Sequence, residues 1–114
     1  AAVSSIAGQL NAEAIISLTK SGATAHNVSK FRPATPILAV TSEITVARRL
    51  QLVWGVIPIL INTQKSTEGT FTKAMNIAKQ MGILDEGDLA IQTAGTITGV
   101  SGSTDFIKVA MLKP

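Results

Sequence analysis

AIISLTKSGATAHNVSKFRP, residues 14 to 33, holds the transition that decides the fold. Ala14–Leu18 is an apolar run short enough for a buried strand. It stops abruptly at Thr19-Lys20-Ser21-Gly22, and Thr24–Phe31 then reads as a helix that Pro33 and Pro36 end. One strand-to-helix turn thus gathers a lysine, a glycine and the hydroxyls of Thr19, Ser21 and Thr24.

The same alternation continues on both sides. Residues 1–13 read as a helix, with Val3, Ile6, Ala7 and Leu10 on one stripe. Ile37–Val40 is a second buried strand. Thr41 or Ser42 can cap a helix over Glu43–Gln51, with Glu43 in its first turn. Val56–Ile61 is a third strand, and its Pro58 objects mildly to a central position. Asn62–Glu68 is a polar loop. Gly69–Met81 is an amphipathic helix with Phe71, Met75, Ala78 and Met81 on one face and Gly82 placed for its C-cap. Asp85-Glu86-Gly87-Asp88 is a turn before the fourth strand, Leu89–Thr93, and the fifth is Phe106–Leu112.

Continuously apolar strands alternating with helices imply a mostly parallel sheet covered on both faces. The last two strands lack a helix between them, and a connection of about ten residues suits an antiparallel return. We expect an α/β three-layer sandwich with a five-stranded sheet ordered 3-2-1-4-5, strand five antiparallel. With 114 residues, and neither a repeat nor a linker, the chain is one domain.

Composition narrows the function. A hydrophobic content of 46% supports a packed core and excludes disorder. Only Phe31, Trp54, Phe71 and Phe106 are aromatic, so aliphatic residues must fill that core. No apolar run approaches the roughly 20 residues of a membrane span. The absence of cysteine excludes disulfides and thiolate metal sites and fits a cytoplasmic origin. With no initiating methionine and no signal peptide, we expect a chain processed or excised from something longer. Net charge is +3, and the whole surplus lies in the stretch up to Ile57: Lys20, Lys30, Arg32, Arg48 and Arg49 against Glu13 and Glu43. That suits a small anion better than nucleic acid, which calls for a denser basic stripe interleaved with aromatics.

The turn at Thr19-Lys20-Ser21-Gly22-Ala23-Thr24 matches that anion. Ligands of such sheets bind outside the carboxyl ends of the strands. Gly22 lets the backbone come close, the three hydroxyls donate, Lys20 brings charge, and a helix N-terminus offers free N–H groups. No acid stands in the first turn, where a capping box would place one. Neither a Walker loop nor a dinucleotide fingerprint is present, so the pattern alone fits both a phosphate site and an ordinary capped turn with a solvated lysine. The stretch Ala94–Thr104, with Gly95, Thr96, Gly99, Ser101, Gly102 and Ser103, leaves strand four at the same edge. Loops of this length are functional or mobile.

Other residues carry less. His26 stands alone, which argues against a metal site or a Ser/His/acid triad and for a surface or helix-packing residue. Arg48-Arg49 form a solvated face or a subunit contact, and Trp54 beside Gly55 belongs to the core. Asp85, Glu86 and Asp88 form a turn cluster rather than a catalytic one. A receiver domain would need acids after strand one and an aspartate ending strand three, where this chain has Thr19-Lys20 and Ile61-Asn62.

Asn11-Ala12-Glu13-Ala14-Ile15-Ile16, Thr19-Lys20-Ser21-Gly22, Phe31-Arg32-Pro33 to Val40-Thr41, Trp54-Gly55-Val56-Ile57-Pro58, Ala74-Met75-Asn76 and Asp85-Glu86-Gly87-Asp88 occur in the order seen in one family. Together they resemble the C-terminal, effector-binding domain of pyruvate kinase, over nearly the whole chain. The resemblance implies an allosteric regulatory domain that senses a phosphorylated metabolite and takes part in tetramer contacts. It implies a phosphate loop at Thr19 to Thr24 and an effector loop at Gly95 to Ser103. The catalytic barrel of glycolysis, with its lysine, Mg²⁺ and K⁺, belongs to another domain, so no cofactor is expected in this one. Animal enzymes carry an arginine where this chain has Ala23. Enzymes regulated by fructose 1,6-bisphosphate also use a tryptophan and an arginine before the long helix, and Thr63 to Thr70 has neither. The resemblance therefore points to a bacterial type, with ribose 5-phosphate or AMP at least as fitting as the bisphosphate. The alternative is a free-standing small enzyme or sensor of a phosphometabolite. It is disfavoured by the shortage of general bases: His26 alone, and acids mostly gathered in one turn.

Overall fold

The apolar runs become strands, and the strands form one sheet. The computed structural model describes residues 12–19, 35–53, 55–62, 65–95 and 104–113. Among these lie β1 (Ala14–Leu18), β2 (Ile37–Thr41), α1 (Ile44–Leu50), β3 (Val56–Leu60), α2 (Thr67–Gln80), β4 (Leu89–Gly95) and β5 (Thr104–Met111). The order is β3-β2-β1-β4-β5. β1, β2, β3 and β4 are parallel, and β5 returns antiparallel to β4. Both the order and the reversed last strand agree with the expectation.

Each strand is apolar throughout because the sheet buries both faces. One face carries Ala14, Ile16, Leu38, Val40 and Ala90, packed against Phe71, Ala74, Met75 and Ala78 of α2. The other carries Ile15, Ile37, Ala39, Val56 and Ile91, packed against Val46 and Leu50 of α1. The period-two alternation thus separates two cores, with a helix on each side. Pro58 is accommodated by the edge position of β3. The Gly55 carbonyl accepts from Ile37 N–H and Ile61 N–H donates to the Thr41 carbonyl, so odd-numbered residues of β3 face β2. Pro58 faces the open side, where its missing N–H breaks no ladder bond.

The helix ends differ from expectation. α2 begins at Thr67 rather than Gly69, because Ser66 is extended and its Oγ accepts from Gly69 N–H at 3.0 Å. Its buried face is completed by Ala74; Met81 is the C-cap and stays 49% exposed. Glu43 is the N-cap of α1 and lies outside its first turn; Thr41 Oγ1 accepts Glu43 N–H at 3.1 Å. Ala12 and Glu13 are not helical but lead into β1, where Glu13 N–H donates to the Leu89 carbonyl. β4 extends to Gly95 and β5 begins at Thr104, so the connection spans residues 96–103 rather than 94–104. The remainder of the expected first helix, the helix over 24–31 and Trp54 lie outside the described residues.

Gly82 closes α2 as expected. Its N–H donates to the Lys79 carbonyl and Ile83 N–H to the Ala78 carbonyl, the paired bonds of a Schellman end. At φ +79° an added Cβ would meet nothing within 4 Å, so substitution costs backbone strain alone. Gly82→Ala is expected to lower stability by about 1–2 kcal/mol, read from the denaturation midpoint.

Candidate functional site

In a sheet of this order the chain moves outward from β1 to β2 and β3, then crosses back to the other side of β1 for β4. The strand order therefore reverses between β1 and β4. At such a point the connections leave in opposite directions and open a crevice beyond the carboxyl ends of the strands. Both segments singled out in the sequence leave from here. β1 ends at Leu18 and β4 at Gly95, with Leu18 in register with Ala94.

The described residues of the candidate site are those at the two strand ends. Thr19 is partly buried, and its N–H donates to the Val40 carbonyl at 3.0 Å, which ties the start of the turn to β2. Gly95 is still paired with Thr104, beside a register shift at Ala94 and Gly95 that ends the regular ladder. The structure thus brings Thr19 and Gly95 to neighbouring strand ends. Lys20, Ser21, Gly22, Ala23 and Thr24 lie outside the described residues, as do Thr96, Gly99, Ser101, Gly102 and Ser103.

Charge is arranged differently from its order in sequence. α1 runs from the carboxyl end of β2 to the amino end of β3, so Arg48 and Arg49 in its last turn lie at the opposite edge of the sheet. There they are exposed and complement the helix dipole. Two of the bases counted toward an anion site are thus placed away from it. The acidic turn is also at the far edge, before β4. Asp88 Oδ2 accepts from Asp85 N–H at 2.8 Å, and Glu86 pairs with Lys79 at 2.8 Å across the end of α2. These contacts give Asp88 and Glu86 structural tasks. Among the described residues no group of three or more His, Cys, Asp or Glu is placed to hold a metal ion. None of their helices is long and apolar enough to cross a membrane.

Two residues escaped sequence reading. Ser17 and Thr93 are fully buried, and Ser17 Oγ and Thr93 Oγ1 have no hydrogen-bond partner among the described residues. They are directly in register on β1 and β4. The available signal was a hydroxyl inside each of two apolar runs, IISL and LAIQTA.

Known proteins share this sequence and fold. The family profile described as pyruvate kinase, alpha/beta domain, matches residues 1–110. Pyruvate kinase 2 of Synechocystis sp. is 59% identical over 112 residues, which are 98% of this chain and 19% of that protein. Pyruvate kinase of Clostridium acetobutylicum is 41% identical over 107 residues, or 94% of this chain and 23% of that one. Cryptosporidium parvum pyruvate kinase in complex with ADP superposes with a TM-score of 0.86 at 29% identity, covering 97% of this chain and 22% of that one. The chain spans about a fifth of the length of these relatives. With a profile match across almost every residue and both bacterial relatives above 40% identity, the chain belongs to the pyruvate kinase family, as its C-terminal alpha/beta domain.

Proposed function

We propose that this chain is a single regulatory domain of pyruvate kinase that binds a phosphorylated metabolite and associates with its own kind. The phosphate sits on Thr19 to Thr24 and the segment from Gly95 to Ser103 closes over the rest of the ligand. The parent enzyme transfers the phosphoryl group of phosphoenolpyruvate to ADP in the cytoplasm, and this domain sets its activity without taking part in the chemistry. The observation that carries the reading is the coincidence of both segments with the one place where the strand order reverses, between β1 and β4. Lys20, the hydroxyls and Gly22 supply the donors that a phosphate dianion needs. Calorimetric titration with ribose 5-phosphate, AMP and fructose 1,6-bisphosphate tests it. At least one is expected to bind with a stoichiometry of one per chain and to compete with inorganic sulfate.

Self-association is assigned to β5. Leu112 N–H donates to the Asp88 carbonyl, and Leu89 pairs with Met111, so even-numbered residues of β5 turn their backbone toward β4. Ile107, Val109 and Met111 therefore direct theirs to the open edge. The Val109 and Met111 side chains are 41% and 57% exposed. The β3 edge is blunted by contrast: Pro58 has no N–H, and Val56 N–H is held by the Val53 carbonyl. Within Phe106–Leu112 only the exposed Lys108 guards the β5 edge, and apolar edges so lightly guarded pair. Met111→Lys is expected to weaken association by at least about tenfold in sedimentation, by placing like charges across the new contact. A strict monomer at high concentration in the unmodified chain would contradict the assignment.

A further inference from the structure

The outer side of α1 is not what solvent selects. Ile44, Arg48 and Leu52 follow one another at four-residue intervals, so they share one stripe, turned away from the buried Val46 and Leu50. Leu52 N–H donates to the Arg49 carbonyl, which carries the turn past the C-cap. Ile44 is 51% exposed and Leu52 90%, where a helix facing water would carry polar residues. The apolar surface continues onto β3. Val56, Pro58 and Leu60 share the face that α1 covers; Val56 is packed with Val46 and Leu50, but Leu60 stays 47% exposed. Leu60 is in register with Thr41, three residues before Ile44, so both exposed aliphatics stand at the same end of α1 and β3. Arg48 and Arg49 are exposed, and neither is paired with an acid among the described residues, whose ion pair is Lys79 with Glu86.

We propose that the outer stripe of α1 and the exposed end of β3 are the surface on which this domain rests against the remainder of its pyruvate kinase chain. The facing surface is apolar at Ile44, Leu52 and Leu60 and acidic at Arg48 and Arg49. This rests on the reading of the chain as one domain of a longer enzyme. Aliphatic residues flanking arginine are the composition of an interface centre rather than of a free surface. Charge selects the occupant. A second copy meeting this stripe about a two-fold axis would set Arg48 and Arg49 against the same arginines. An added strand does not fit either, because Pro58 has no N–H and Val56 N–H is held by the Val53 carbonyl. Side-chain packing against another domain meets neither obstacle. This chain spans about a fifth of the length of its relatives, so in such a protein a long stretch of other chain is at hand to supply that domain.

Amide hydrogen exchange of this chain alone and within the full-length enzyme tests the assignment, with α2 as the internal control. The amides of α1 are expected to exchange at least about tenfold more slowly in the full-length enzyme than in the chain alone, beyond any slowing seen in α2. Leu52→Ser, and separately Arg48→Gln with Arg49→Gln, should bring that ratio most of the way to one. Each variant is compared with the same variant as an isolated chain, so a change in the helix itself cancels. Leu52→Ser should leave the melting temperature of the isolated chain nearly unchanged, because the side chain it removes is already in solvent. If α1 slows no more than α2, the stripe is uncovered and the proposal fails. Slowing that survives the loss of both arginine charges means that the partner is not acidic, which overturns it too. Slowing that appears in the chain alone as its concentration rises identifies a second copy as the occupant, against the assignment. If the gene encodes no more than this chain, the reading as a domain of a longer enzyme has itself failed, and the docking surface falls with it.

Discussion

Ile16→Ala is expected to remove about 2–5 kcal/mol of stability, a large fraction of the 5–15 kcal/mol typical of a domain. Ile16 lies in the central strand, fully buried, between Leu38 of β2 and Gln92 of β4 and within the core that α2 covers. Its removal opens a cavity against neighbours on two strands and a helix, none of which can move without disturbing the ladder. The same change at Ile57 provides the contrast. Ile57 lies in the same row on the edge strand and is only half-buried, so Ile57→Ala should cost on the order of 1 kcal/mol. Chemical denaturation should show a lower midpoint for Ile16→Ala at an unchanged slope. Equal costs at the two positions would mean that the sheet is not centred on β1.

Lys20→Ala should weaken binding of the effector by about ten- to a hundredfold, since a hydrogen bond to a charged group contributes roughly 1.5–3 kcal/mol. Lys20 is the one cation in the sequence of the turn, and Arg48 and Arg49 lie at the opposite edge of the sheet from Thr19. Ala23→Arg should strengthen bisphosphate binding by restoring the arginine that the resemblance assigns to this position in animal enzymes. Calorimetry on the two variants reads both effects. Affinity for the ligand unchanged by Lys20→Ala would place the binding site elsewhere.

Much of this was legible in the residues, and the exceptions have causes. Continuous apolar runs separated by polar turns revealed all five strands, because a sheet covered on both faces leaves no room for alternation. The short, helix-free connection before Phe106 indicated the antiparallel return. Strand ends were misjudged at Gly95 and Thr104 because backbone pairing continues past the last apolar side chain. The start of α2 was missed because Ser66 caps a helix whose first residues are polar. Charge misled more: Arg48 and Arg49 share the half of the chain that carries the Thr19 turn, but α1 returns them to the opposite edge. The buried Ser17 and Thr93 could not be paired from sequence, since their register depends on β1 and β4 being neighbours across 75 residues of intervening chain.

The central claim is that a phosphorylated metabolite binds where β1 and β4 end. A two-dimensional amide spectrum of the labelled chain, recorded during titration with ribose 5-phosphate, AMP or fructose 1,6-bisphosphate, tests it directly, because glycine amides resolve well and mark both edges of the sheet. The account predicts that at least one ligand moves the Gly22 and Gly95 signals together, with one saturation curve, while Gly82 and Gly87 at the far edge stay in place. Saturable shifts confined to Gly82 and Gly87, or no saturable shift with any of the three, would contradict it.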